Sequence, residues 1–274
     1  MSRNEIIEEY LIKYLKEYND TIGVLDIDNR IAIRALMNIT NPDTLTDEFY
    51  KKQDIYLKSL LEEEESNNNL LDVKNVTVNN KIGICDKGDM TLVKADVIVN
   101  CANYTLEGCK ELLHDCIDNA VHSFAGLQLR RDMKKIASKY NVTAGSTYIS
   151  KGYNLPCKYI IHAVLGPISD EPTKEEDELL SKIYYDCLMK AADYNCKSIV
   201  FPLMELDGDI YPVSKQARIA YDAVSRYFKD NKDSDLQKVI FNVNGSYAFD
   251  IFRKVINNNG SLNNLKLNKK IVIK

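Results

Sequence analysis

The sequence predicts an α/β protein: a three-layer α/β/α sandwich around a mixed, largely parallel central sheet, preceded by a helical extension. Three observations carry that expectation. Over the first 70 residues apolar side chains recur at helical spacing. Beyond them, short apolar runs alternate with longer amphipathic segments, the order that builds a sheet with helices on both faces. One run, Val97-Ile98-Val99, is continuous rather than alternating, as a strand covered on both sides must be.

The elements follow in chain order. Ile6, Ile7, Tyr10, Leu11, Tyr14 and Leu15 form one apolar stripe and predict a first helix. Ile31, Ile33, Leu36 and Met37 predict a second, closed by Asn41-Pro42. Residues 46–61 predict a third, with Phe49, Ile55, Tyr56 and Leu60 inside. The acids Glu62 to Glu65 and the polar Ser66-Asn67-Asn68-Asn69 read as a solvated helix end and a linker. Val73, Val76 and Val78 meet Ile82 and Ile84 across Asn79-Asn80 as a hairpin. A buried strand at 96–100 precedes a helical segment at 114–140. Strands at 146–150 and 158–164 lead to a helix at 174–194, then a strand at 198–203 and a helix at 213–228. A strand at 238–243 and a helix at 247–256 complete the series. The Asn- and Lys-rich end carries one more apolar run, Ile271-Val272-Ile273, a candidate short strand. The expected division is an extension over 1–70, the sandwich over 71–260 and a tail over 261–274. In such sheets ligands bind beyond the carboxyl ends of the strands, where strand order reverses, so the loops after strands are where chemistry belongs.

Composition narrows the function classes. Hydrophobic residues at 45% and charged residues at 28% are the balance of a soluble globular chain. No apolar run approaches the ~18 residues of a membrane span. The charged, amphipathic start is unlike a signal peptide, so the expected location is the cytoplasm. A net charge of −4, with lysines and acids interspersed, lacks the basic stripe of a nucleic-acid reader, and the basic residues at 266–274 read as a solvated tail. Seven cysteines, an odd number in a chain this long, point to reduced thiols rather than a disulfide framework. Cys85, Cys101, Cys157, Cys187 and Cys196 sit in or beside apolar segments and read as small core residues.

The loop after Val99 is different. It runs Asn100-Cys101-Ala102-Asn103 to Gly108-Cys109 and continues through His114-Asp115-Cys116-Ile117-Asp118-Asn119. Cys109, His114 and Cys116 follow a Cys-x4-His-x-Cys pattern. Zinc favours thiolate and imidazole, and three protein ligands with one open position mark a catalytic site. A buried Cys109, a helix-start His114 and a core Cys116 fit the same spacing, which leaves both readings open. His114 and Cys116 are two apart and cannot share a helix face, so convergence requires a chain still turning there. Asp118, near the first turn of the next helix, suits the helix dipole or the cleft equally. His122 and His162 read as hydrogen-bonded core histidines rather than ligands.

Larger blocks of sequence carry a resemblance. Lys87-Gly88-Asp89-Met90-Thr91, followed by Ala95-Asp96-Val97-Ile98-Val99-Asn100-Cys101-Ala102-Asn103, resembles the opening signature of macrodomains, Gly-Asp-Ile-Thr and then Asn-Ala-Ala-Asn. Gly108-Cys109, His114, Cys116-Ile117-Asp118-Asn119, His122 and Ala125-Gly126-Leu127-Gln128-Leu129-Arg130 are similar to the zinc-containing branch of that family. Gly152-Tyr153-Asn154-Leu155-Pro156 continues the match, as do Leu36-Met37-Asn38 and Gln53-Asp54-Ile55-Tyr56-Leu57 in the extension. The resemblance implies a macrodomain sandwich that binds ADP-ribose. Its function would be zinc-dependent removal of mono-ADP-ribose from ester-linked protein side chains, alongside a partner ADP-ribosylating sirtuin. By the same resemblance Cys109, His114 and Cys116 hold the zinc, and Asp118 and Asn103 are catalytic at the distal ribose. Asp89 meets the adenine amino group, and Met90, Asn100, Gly208, Ile210 and Tyr211 complete the ligand-binding set.

One loop departs from the family pattern. Macrodomains carry Ser-Thr-Gly-Val-aromatic-Gly-aromatic-Pro against the diphosphate, where glycines let backbone N–H groups approach the oxygens. Here the register gives Glu205-Leu206-Asp207-Gly208-Asp209-Ile210-Tyr211-Pro212, with Asp207 and Ile210 in place of both glycines. A carboxylate ~5 Å from a phosphate oxygen is repelled by about 3 kcal/mol at an effective dielectric near 20. That is roughly a hundredfold in affinity. Three readings stand: the acids turn outward, a divalent cation bridges them to the diphosphate, or tight ADP-ribose binding is lost. The leading functional expectation is a hydrolase; the alternatives, which the altered loop favours, are a non-catalytic ADP-ribose or nucleotide reader and a degenerate domain with a contact-making extension.

Overall fold

The helical start folds as its periodicity requires. The computed structural model describes residues 3–17, 28–206 and 209–261; the candidate strand at 271–273 and the pair Asp207-Gly208 lie outside them. Helices α1 (Arg3–Glu17), α2 (Asn29–Ile39) and α3 (Asp47–Ser66) pack into a small core of their own, around Leu11, Leu15, Leu36, Phe49 and Tyr56. Asp28 caps α2 by accepting the Arg30 and Ile31 N–H groups, and Thr46 caps α3 by accepting that of Phe49.

The sheet contains β1 (Leu71–Asp72), β2 (Val78–Asn79), β3 (Ile82–Cys85), β4 (Val93–Ala102), β5 (Thr147–Lys151), β6 (Cys157–Val164) and β7 (Ser198–Phe201). The short strands β8 (Glu205–Leu206) and β9 (Asp209–Ile210) pair only with each other, and β10 (Lys238–Asn242) returns to the main sheet. Strand order is β2-β3-β10-β7-β4-β6-β5, with β1 beside the start of β4. The five central strands are parallel, and the edges β2 and β5 are antiparallel. Because β4 has β6 on one side and β7 on the other, strand order reverses between β4 and β7, which places the ligand crevice at their carboxyl ends.

Burial of β4 follows from its position. Val97 and Val99 face the layer of α6 (Lys174–Asp193), α7 (Val213–Asp230) and α8 (Ser246–Asn257), while Ile98 faces α4 (Ile117–Ala125) and α5 (Leu127–Ala137). All three are fully buried. Tyr184, Leu188, Val224 and Phe252 cover the first face, and Val121, Leu129 and Met133 the second. Leu127 joins the sandwich to the core of the extension.

Two expectations need correction. The single helix expected over 114–140 is two, and it starts at Ile117, leaving His114 ahead of it. The break falls at Gly126, whose φ of +102° suits no L side chain, and a Cβ there would stand 2.6 Å from Gln53 Nε2. The hairpin is shorter than its valines suggested. Only Val78 and Asn79 pair with β3, across a two-residue loop of Asn80 and Lys81 at φ +48° and +68°, and Val73 enters a 3-10 turn instead, which Asp72 caps by accepting the Lys74 N–H. Among the described residues no helix is long and apolar enough to cross a membrane.

Candidate active site

The chain leaves β4 at Ala102 and builds a loop whose turns are set residue by residue. Asn103 Oδ1 accepts from the Thr105 N–H at 3.0 Å and the Thr105 hydroxyl at 2.6 Å, closing the first turn. Leu106 drops into the core at φ +57°. Gly108 follows at φ +79°, so close over the buried His122 that a Cβ would lie 2.4 Å from its Cγ. Cys116 is the extended N-cap of α4, and its sulfur accepts the Asn119 N–H at 3.3 Å. The turning chain therefore brings His114 and Cys116 together without a shared helix face.

The ligand atoms of Cys109, His114 and Cys116 all lie within 4.8 Å of one another, and Cys109 Sγ is 3.4 Å from His114 Nδ1. Tetrahedral zinc, with Zn–S near 2.3 Å and Zn–N near 2.0 Å, sets such atoms roughly 3.5–3.8 Å apart. The donor set and its spacing fit that ion. Burial, with the Cys109 sulfur adding to it, raises the Cys116 thiol, and a bound cation would favour its thiolate.

Asp118 lies in the first turn of α4 and is buried. Asn100 Nδ2 donates to Oδ1 at 2.7 Å, and Asn103 Nδ2 to Oδ2 at 3.4 Å. Its carboxylate nevertheless opens on a cavity of about 290 Å³ that Asn103, Cys109, His114 and Cys116 also line. The helix dipole alone does not explain that placement. Beneath Asn100, His162 bonds Ser150 Oγ at 3.0 Å and Asn100 Nδ2 at 3.3 Å, and burial holds its pKa down to about 3. It is the hydrogen-bonded core histidine expected. His122 is equally buried, but neither ring nitrogen has a hydrogen bond, and Nε2 stands 3.5 Å from Asp118 Oδ1.

A second cavity, of about 460 Å³, shares Asp115, Cys116, Ile117 and Glu205 with the first and reaches Asp89 and Asn244. Asp89 is exposed at its mouth and caps a 3-10 turn through the Thr91 N–H and hydroxyl. Met90 also lines it, although its side chain is buried against Asn242. Burial raises the Glu205 carboxyl, with Asp115 repelling it further and His114 opposing the rise.

Residues 99–220 match the Macro domain model, and a protein-ADP-ribose hydrolase of Treponema medium is 35% identical over 242 residues, covering 85% of this chain and 92% of that protein. The chain belongs to the macro domain family. A second relative, a protein-ADP-ribose hydrolase of Staphylococcus aureus (strain MSSA476), is 33% identical over 265 residues, 94% of this macrodomain and 97% of that protein. Among solved structures, the Oceanobacillus iheyensis macrodomain with ADP superposes at a TM-score of 0.57 with 26% identity, covering 66% of this chain and 93% of that one. A Trypanosoma brucei macrodomain in complex with ADP-ribose gives 0.58 at 20% identity over 80% and 93%, a likeness of fold.

The helical extension of this macrodomain reaches into the site, which sequence reasoning missed. Asn119 Nδ2 donates to the Glu111 carbonyl at 2.8 Å, while its Oδ1 accepts from Asn38 at 3.1 Å and Arg34 at 3.2 Å. The buried Arg130 donates to the Asn38 carbonyl at 3.0 Å and the Cys109 carbonyl at 3.3 Å. Helix α2 thus holds the Cys109–Cys116 loop through Asn119 and Arg130, which reach the Glu111 and Cys109 carbonyls. The one signal in the sequence was a polar pair, Arg34 and Asn38, at i and i+4 beside an apolar stripe. Ile210 lies on β9, and Gly208 is outside the described residues. Tyr211 is buried, bonds Asp177 through its hydroxyl, and lines a separate small cavity with Leu165 and Gly166.

Proposed function

We propose that this macrodomain is a hydrolase removing mono-ADP-ribose from modified protein side chains, with Asp118 at the distal ribose and zinc held by Cys109, His114 and Cys116. One observation carries the reading: a buried carboxylate, gripped by Asn100 and Asn103, opens on the same cavity as the metal-ligand cluster. The names and the 33–35% identities of the bacterial relatives support it. So does size, because joined cavities of about 460 and 290 Å³ suit a nucleotide-sized ligand.

In this reading Asp89 accepts from the adenine amino group, and Asn103 orients the distal ribose over the loop. The bond from the anomeric carbon to the protein side chain lengthens with oxocarbenium character. Water adds its oxygen to that carbon, Asp118 takes the water proton as general base, and the side chain leaves with the bonding electrons. Asn100, held from behind by His162, keeps Asp118 pointed at the cavity. A bound zinc supplies positive charge and Lewis acidity at the ribose. The ADP-ribosylating partner of sirtuin type, implied by the sequence resemblance, belongs to the same proposal.

Incubation with an auto-ADP-ribosylated protein tests it. Free ADP-ribose is expected to appear, a chelator to stop its release, and Asp118→Ala to slow it about 10²–10⁴-fold. Elemental analysis is expected to find one zinc per chain. The acids near Glu205 favour a second reading, a reader without turnover, and tight ADP-ribose binding with no release would select it.

A further inference from the structure

We infer that Arg34, carried by helix α2 of the extension, is a ligand-binding residue that supplies the positive charge for the diphosphate in the larger cavity. The inference rests on the ADP-ribose reading of that cavity. Among the described residues lining it, Asp89, Asp115 and Glu205 are acidic and Arg34 is the only Lys or Arg. A diphosphate adds two further negative charges. The loop that elsewhere offers glycine N–H groups carries Asp207 and Ile210 here. A cation from another element would offset that charge, and the fold places one at the wall.

Arg34 is held for that task. Its Nη2 donates to Asn119 Oδ1 at 3.2 Å, and its guanidinium carbon lies 5.6 Å from the centre of the Phe124 ring, which lines the same cavity. Its Nε is buried without a hydrogen-bond partner. A guanidinium has five N–H donors in a planar fork suited to phosphate oxygens, and Asn119 engages one nitrogen of the three. Arg34, Asp89 and Phe124 also border the neighbouring apolar groove of about 300 Å³, which puts the cation where the two openings meet. Its link to the Cys109–Cys116 loop runs through Asn119, which Asn38 also holds, so the zinc content of each Arg34 variant is measured beside its ligand affinity.

Calorimetry on the full-length, zinc-loaded protein with ADP-ribose, ADP and adenosine tests the assignment. Arg34→Gln is expected to weaken ADP-ribose and ADP at least ~tenfold, since one unit charge at ~7 Å and an effective dielectric near 20 is worth that much. Adenosine affinity is expected to stay the same, and the salt dependence of ADP-ribose binding to flatten. Unchanged ADP-ribose affinity overturns the inference, as do equal losses for all three ligands, which would make Arg34 a wall rather than a charge. If Arg34→Gln fails to fold, Arg34→Lys must bind ADP-ribose within a few-fold of the parent, and a tenfold loss there overturns the inference as well. Failure of the parent protein to bind ADP-ribose is distinguishable, because it removes the ADP-ribose reading itself.

Discussion

Gly108 and His162 show how single residues hold this site. Gly108 has no alternative: at φ +79° and pressed over His122, any side chain both strains the backbone and collides with a ring that cannot move. Gly108→Ala is expected to cost about 2–4 kcal/mol in urea unfolding and to weaken zinc binding together with it. Parent-like values of both would refute the account. His162 sets an acid limit. Its folded pKa, near 3, is depressed from an ordinary value of 6.5, so below 6.5 the unfolded chain takes up a proton that the folded chain refuses. The stability is present in full above pH 6.5 and declines as pH falls toward 3, by up to about 5 kcal/mol from this residue. Burial moves His122 the same way. Urea melts at pH 7, 5.5 and 4.5 should show the decline, and His162→Gln should make it shallower.

At the scale of elements, the extension behaves as part of the site. Asn38 on α2 connects Asn119, Ser123 and Arg130, and through Asn119 and Arg130 the Glu111 and Cys109 carbonyls of the loop proposed to hold zinc. Outer partners of this kind typically change metal affinity 10–100-fold. Asn38→Ala is accordingly expected to raise the zinc dissociation constant about tenfold or more in chelator competition, and an unchanged constant would show that the loop holds itself. Helix α3 contributes at the other seam. Gln53 Oε1 accepts the Leu127 N–H at 2.9 Å, and Asp54 accepts from Gln128 at 2.8 Å and Asn154 at 2.9 Å, directly across the break at Gly126. Gln53→Ala strands a buried N–H at the start of α5 and is expected to lower stability by about 1–3 kcal/mol, read by thermal or urea unfolding.

For the molecule as a whole, the core of the extension takes in one residue of the sandwich, Leu127 at the start of α5, and α2 also lines the larger cavity through Arg34. The sandwich alone positions Asp89, Asn103 and Asp118 at the strand ends, but the loop between Cys109 and Cys116 leans on α2. A chain lacking residues 1–66 is expected to melt at lower temperature and to purify with substoichiometric zinc, because it exposes Leu127 and leaves Asn119 and Arg130 without Asn38. Full zinc content in that truncated chain would separate the extension from the site.

Most of the architecture was legible in the sequence. The apolar run at Val97-Ile98-Val99 and the helical stripes record locally which side of an element faces solvent. The gathering of Cys109, His114 and Cys116 into a group that could hold a metal was legible too, because the three lie within eight positions and the turn that gathers them is short. What periodicity does not encode is how distant segments meet. The split at Gly126 answers to Gln53, and Asn119 is held by Arg34 and Asn38, 85 and 81 residues away in the chain. Local pattern fixes each element because neighbours share one backbone. Only packing, which depends on the shapes of both surfaces at once, decided that an N-terminal helix would complete a site built after the fourth strand.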